Sequence, residues 1–249
     1  MLQGFFIPQD WLDDTDRLSI LIDAMSLPSQ PKSPLRISPT STPTISKAER
    51  TRAAILNSAL DFVWSRPFRE MTVSSVMAET GVGRSAFYQH FTDLHEVMET
   101  LLGLLQGAIV DATKPWYAGV GDPTLLLREG LAGLVRVGHE RGPLLRAVAD
   151  AASTDEQYEA IWNRFMESFD NTVTERIECD QAQGLIPDFE ARPVAVALNR
   201  LDASALIHAF GQHPRTDPEP VAEALIRIWI STLYGIEWVE SGSSNLVRT

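Results

Sequence analysis

The sequence predicts an all-α protein: a small three-helix head of the helix-turn-helix kind carried on a larger helical body. Three observations predict it. Apolar residues recur at helical spacing through most of the chain after residue 45, no stretch of useful length alternates as a strand would, and proline or glycine dipeptides cut the pattern into helix-sized pieces. With 249 residues, 44% of them hydrophobic and 22% charged, the chain can bury a sizeable core.

The first 45 residues stand apart. "DWLDDTDRLSILIDAM" places Leu18, Leu21, Ile22 and Met25 at i, i+3, i+4 and i+7, and "LPSQPKSPLRISPTSTPT" then scatters prolines among Ser and Thr, which removes backbone donors and offers little to pack. Residues 1–45 read as a disordered or weakly helical extension and linker. Acidic residues Asp10, Asp13, Asp14 and Asp16 stand where a secretory signal needs a basic and then an apolar run.

"SKAERTRAAILNSALDFVWSR" opens the head. Ala53, Ile55, Leu56, Ala59, Leu60 and Val63 share one face, Ser46 and Glu49 have capping-box spacing, and Pro67 ends the helix. A second helix, "MTVSSVMAE", has Thr72 as N-cap and turns Val73, Val76 and Met77 to one side. Gly81 supplies the positive φ of a sharp turn. Gly83 caps a third helix, with Val82 and Phe87 as a hydrophobic staple, Phe87 and Phe91 facing inward, and Ser85, Tyr88 and Gln89 facing out.

Two short helices joined by a glycine turn, the second with a wet polar and aromatic face, form the arrangement that lays a recognition helix in the DNA major groove. "GVGRSA" also fits a phosphate-cradling glycine pattern, but that reading needs a buried strand before Gly81, and "TVSSVMAET" is too polar for one. The net charge is −12, so any DNA-binding surface must be local; between residues 46 and 92 six Lys and Arg meet four Asp and Glu, a positive excess of two. The candidate DNA contacts are Lys47, Arg50, Thr72, Ser74, Arg84, Ser85, Ala86, Tyr88, Gln89 and His90. Arg84 and Gln89 carry base-reading chemistry, while Thr72, Tyr88 and His90 suit phosphate.

Past the head, "LHEVMETLLGLLQGAIV" is apolar on most sides and reads as a central helix over residues 94–110 that joins head to body. Breaks are predicted at Lys114-Pro115, Asp122-Pro123, Gly142-Pro143, Ile186-Pro187 and Asp217-Pro218. The last two helices, near 195–210 and 220–238, carry apolar faces wide enough to call for a partner chain, hence a homodimer. The division is then an extension over 1–45, a head over 46–92, a ligand-binding and dimerisation body over 93–240, and a flexible tail over 241–249.

The stretch 72–102, with Thr72, Val73, Val76, Gly81, Val82, Phe87, Tyr88, His90 and Phe91 at motif positions, resembles the DNA-binding domain of the TetR family of bacterial repressors. Departures are Met77, Thr80 and Gly83, the last in place of a serine cap and costing only a few tenths of a kcal/mol. "IWNRFMESFDNTVTERIECDQAQGLIP", "VALNRLDASALIHAF" and "IRIWISTLYG" are similar to the ethionamide-resistance regulator branch of that family. The resemblance implies a cytoplasmic, dimeric regulator of double-stranded operator DNA, released by a small apolar effector in a helical tunnel. Candidate lining residues are Trp116, Trp162, Met166, Phe169, Asn199, Asp202, Trp229 and Tyr234; such a stripe is equally the pattern of plain core. Asn199 and Asp202, polar within an apolar helix, would set a ligand's orientation, and an aspartate at 202 changes the polar group that the ligand must offer. The alternative is a helical small-molecule-binding or scaffold protein whose head no longer reads DNA.

Enzyme classes find no support. The five histidines form no H-x-x-x-H pair, no G-x-S-x-G elbow is present, and the single cysteine, Cys179, lies in no nucleophile motif. No metal, cofactor or membrane partner is expected, since no segment reaches the roughly 20 apolar residues of a membrane span.

Overall fold

The computed structural model describes residues 46–235. The predicted extension, the tail and the predicted last turns of the final helix, Trp238 included, lie outside the described residues. Those described form eight α-helices and one 3-10 turn, with no strand among them.

Helix α1, Lys47–Ser65, starts at the expected capping box: Ser46 Oγ accepts from the Glu49 amide at 3.2 Å, and Glu49 Oε2 accepts from the Ser46 amide at 2.8 Å. Its buried face carries Ile55, Leu56, Ala59, Leu60 and Val63. Ser58 lies on the same face and donates its hydroxyl to the Val76 carbonyl at 2.6 Å, pinning α1 to the next helix. After the 3-10 turn Phe68–Glu70, α2 runs Val73–Ala78 from a Thr72–Ser75 capping box. Gly81 takes φ 70°, the conformation expected of it.

Helix α3 is shorter than its sequence pattern implies. Regular α-helix covers Arg84–Phe87, and the chain then tightens, with Gln89 and His90 amides donating to Ala86 and Phe87 carbonyls three residues back. Phe87 and Phe91 still face inward, their ring centroids 5.9 Å apart.

Helices α4 (Leu94–Ala118), α5 (Pro123–Ala152), α6 (Glu156–Ala182), α7 (Ala191–Phe210) and α8 (Pro218–Tyr234) make the body. Two expected breaks are absent, because Pro115 lies inside α4 and Pro143 inside α5. Pro115 stands near the exposed end of its helix, where water can take the place of the lost donor. At Pro143 the carbonyl left without its amide partner is that of His139, and the Arg215 guanidinium donates to it instead. The breaks at Pro123 and Pro218 are real; each proline sits in the first turn after an aspartate cap.

Glycines let the long helices close up. A Cβ at Gly133 would fall 2.9 Å from Ala112 Cβ on α4, and one at Gly142 would fall 2.5 Å from the Phe210 carbonyl oxygen at the end of α7. On their outer sides α7 and α8 leave Leu201 37% and Ile228 39% exposed.

Candidate nucleic-acid interface and ligand cavity

The head's outward surface is built on a sealed core. Phe87 and Phe91 are buried against Ile55, Leu56 and Val76, which fixes the direction of the residues between them. Arg84, Ser85, Tyr88 and Gln89 are exposed together on α3 and the turn that follows. Tyr88 is 54% exposed; its ring stands edge-on to Phe87, and its hydroxyl accepts a 3.3 Å hydrogen bond from Arg84 Nη2, so two of the expected contacts are paired with each other. Lys47 and Arg50 lie exposed on the first turn of α1, and Ser74 on α2.

Three of the expected contacts are less free. Thr72 is exposed, but its hydroxyl already accepts from the Ser75 amide at 3.1 Å. Ala86 is half-buried on the core, and His90 is half-buried with its carbonyl accepting from Arg52 Nη1 at 3.0 Å. Arg52 is a residue that the sequence pattern alone leaves among the surface charges. It lies over the Phe91 ring at 4.2 Å, its other nitrogen Nη2 reaches Thr100 at 3.4 Å, and burial lowers its pKa. One guanidinium thus ties α1, the end of the recognition segment and α4 together.

Farther along α4, the body holds a cavity of about 60 Å³. Of the expected lining residues, Trp116, Met166, Phe169, Asn199, Asp202 and Trp229 line it. Trp162 and Tyr234 do not. Trp162 stacks obliquely on Phe165, at 5.7 Å, outside the cavity wall. Tyr234 stands behind Trp116: it accepts from the indole Nε1 at 3.1 Å and donates to Asp180 Oδ2 at 2.8 Å. Burial and then the hydrogen bond to Asp180 push its phenol up to about 12, with the Trp116 bond acting the other way. Asp180 also lies 2.7 Å from Arg176 Nη2 as a buried ion pair. The alignment of that pair is poor, since Arg176 Nε and Asp180 Oδ1 lack hydrogen bonds.

The sequence pattern also misses Thr113 and Tyr117, both in the cavity wall. They stand at i−3 and i+1 from Trp116 on α4, and the signal was legible had the helix been carried through Pro115.

The cavity's polar groups are mostly committed. Asn199 donates its amide to Asp170 Oδ1 at 2.9 Å, and Asp170 is further held by both Arg200 nitrogens, Nη1 at 3.2 Å and Nη2 at 3.0 Å. Thr113 donates its hydroxyl to the Ile109 carbonyl at 2.7 Å. Asp202 Oδ1 accepts from Trp229 Nε1 at 3.0 Å. Burial lifts the Asp202 carboxyl to about 7, against the lowering effect of that indole bond. Tyr117 is raised well above the ordinary phenol range, first by burial and in part by the neighbouring Asp202 charge.

Among the described residues no cluster of side chains could hold a metal ion, and no helix is long and apolar enough to cross a membrane. Residues 127–235 match the family described as the C-terminal domain of the transcriptional regulator EthR. The chain is 25% identical to the HTH-type transcriptional regulator EthR of Mycolicibacterium smegmatis over 189 residues, covering 74% of this chain and 86% of the relative. Its fold is similar to that of a TetR-family regulator from Syntrophomonas wolfei, with a TM-score of 0.66 and 17% identity over 75% of this chain and 96% of the other. A second similar fold is that of SmeT solved as a triclosan complex, with a TM-score of 0.64 and 14% identity over 80% and 99%.

Proposed function

We propose that the chain is a TetR-family transcriptional regulator related to EthR and, on that premise, a dimeric repressor that an apolar small molecule releases from its operator. The observation that supports this most directly is α4. Twenty-five residues long, or about 37 Å at 1.5 Å per residue, it begins beside the recognition segment and ends in the cavity wall. Asp93 caps its first turn, and Arg52 links that end to His90, so the head is fastened to the helix rather than hinged on it. At its other end Thr113, Trp116 and Tyr117 line the cavity.

A cavity of about 60 Å³ is far smaller than the roughly 300–1,000 Å³ of a ligand site, so an effector must push α4 and its neighbours apart to enter. Two heads reach successive major grooves only when the dimer holds them about 34–36 Å apart, and a shift of α4 changes that spacing. The effector therefore works by binding the DNA-incompetent shape more tightly. Leu201 and Ile228 mark the α7–α8 face where the second subunit docks. The SmeT complex with triclosan gives a precedent for an apolar ligand on this fold.

Fluorescence anisotropy with duplexes from the DNA flanking its own gene tests the reading. Sequence-dependent binding is expected, and Arg84→Ala should weaken it by about 1–3 kcal/mol while relaxing base preference. Binding without sequence preference by wild type would leave a helical ligand-binding protein whose head does not read DNA.

A further inference from the structure

Three carboxylates are buried among the described residues of the body, and two of them have a guanidinium: Asp170 has Arg200, and Asp180 has Arg176. Asp202 has none. It is 5% exposed, its Oδ1 takes the Trp229 indole, and its Oδ2 has no hydrogen-bond partner among the described residues. No Lys, Arg or His lines the cavity.

The donors around the cavity point elsewhere. Trp116 Nε1 is committed to Tyr234, Trp229 Nε1 to Asp202, the Asn199 amide to Asp170 and the Thr113 hydroxyl to a backbone carbonyl. The Tyr117 hydroxyl, which keeps its proton, is engaged with Thr113. What these groups leave facing a ligand is mostly acceptors, with the Asp202 carboxyl as the one acid, inside a wall of aromatic rings. Against the ionised carboxylate a ligand carbonyl would set acceptor against acceptor, and a hydrocarbon would leave Asp202 either protonated or sealed from water with no counter-charge.

We propose that the effector is an apolar cation, a protonated amine on a hydrophobic body, seated with its ammonium on Asp202 Oδ2 and against the rings of Trp116, Tyr117 and Trp229. Aromatic faces attract a desolvated cation, and the carboxylate completes its charge, so one position serves both interactions. The inference rests on the cavity being the effector site, and the test separates the two.

The probes are 4-phenylbutylamine and 4-phenylbutan-1-ol, matched in shape and differing in charge, titrated calorimetrically into the full-length protein at pH 8. The amine is expected to bind at least about tenfold more tightly. Asp202→Asn should abolish that preference while still binding the alcohol, which also reports that the variant is folded. Should the variant fail to fold, the wild-type pair alone decides. Equal affinities on wild type, or a preference for the alcohol, would overturn the cation and leave the cavity reading standing. No binding of either probe would overturn both.

Discussion

Asp180 and Asp202 are buried acids tied to two tryptophans that touch each other, and they are treated in opposite ways. Asp180 reaches Trp116 through the Tyr234 hydroxyl and has Arg176 beside it. Asp202 bonds Trp229 directly, and the Trp229 ring stands edge-on to Trp116 at 5.7 Å. Behind Trp116 the charge is neutralised by a guanidinium of the protein. On the cavity side it is not. A carboxylate with its own guanidinium holds helices in place, whereas one without a partner is a cost that folding has no reason to carry unless something else supplies the cation.

Removing a partner should separate the two most sharply. Arg176→Met strands Asp180, 1% exposed, and is expected to cost about 3–5 kcal/mol of unfolding free energy in urea titration, because an uncompensated charge stays buried. Tyr234→Phe leaves the Trp116 indole and Asp180 Oδ2 short of one partner each, and about 1–3 kcal/mol should be lost.

Asp202 gives a pH signature instead. Its folded carboxyl titrates near 7 while the unfolded one loses its proton near the ordinary value of 3.8. Between those limits the unfolded chain binds fewer protons, so this group makes stability fall as pH rises from about 4 through about 7. The melting temperature of Asp202→Asn should fall less over that window than that of wild type; an identical pH profile would show that Asp202 is not the source. The smallest effect is expected at Arg200→Met. That side chain is 45% exposed and Asp170, though buried, keeps the Asn199 amide, so the loss should stay below that of Arg176→Met.

Local chemistry was legible in the sequence wherever the partners are near in the chain. Ser46 and Glu49, Thr72, Gly81, and the Phe87–Phe91 pair all act within a few residues of themselves. Prolines divide by the same rule. Pro123 and Pro218 follow capping aspartates and begin helices, as their neighbours say they should. Pro143 looked like a break because the donor that replaces its missing amide comes from Arg215, far outside any window. A central helix that ends at Val110 in the sequence pattern does not reach Thr113 and Tyr117, which lie in the cavity wall with Trp116 because α4 runs on through Pro115. Trp162 and Tyr234 are aromatic residues at helical spacing like the rest, and only the packing of α4, α6 and α8 decides which rings meet the cavity. Arg52 shows the reverse problem, a charge that reads as solvated surface until the fold lays it over Phe91.

The mended proline has one more consequence. In α5 the His139 carbonyl that Pro143 leaves without an amide takes the Arg215 guanidinium, 76 positions on, and the same guanidinium lies 4.6 Å over Trp64 of α1. The second half of α5 is therefore expected to be less secure than the first wherever the segment after α7 is not in place. Continuity of this rod is a long-range property, and the head shares in it through Trp64. Opening measured by amide exchange should respect that seam: protection after Pro143 should drop in Arg215→Ala together with protection around Trp64, while the stretch before Gly142 keeps its own.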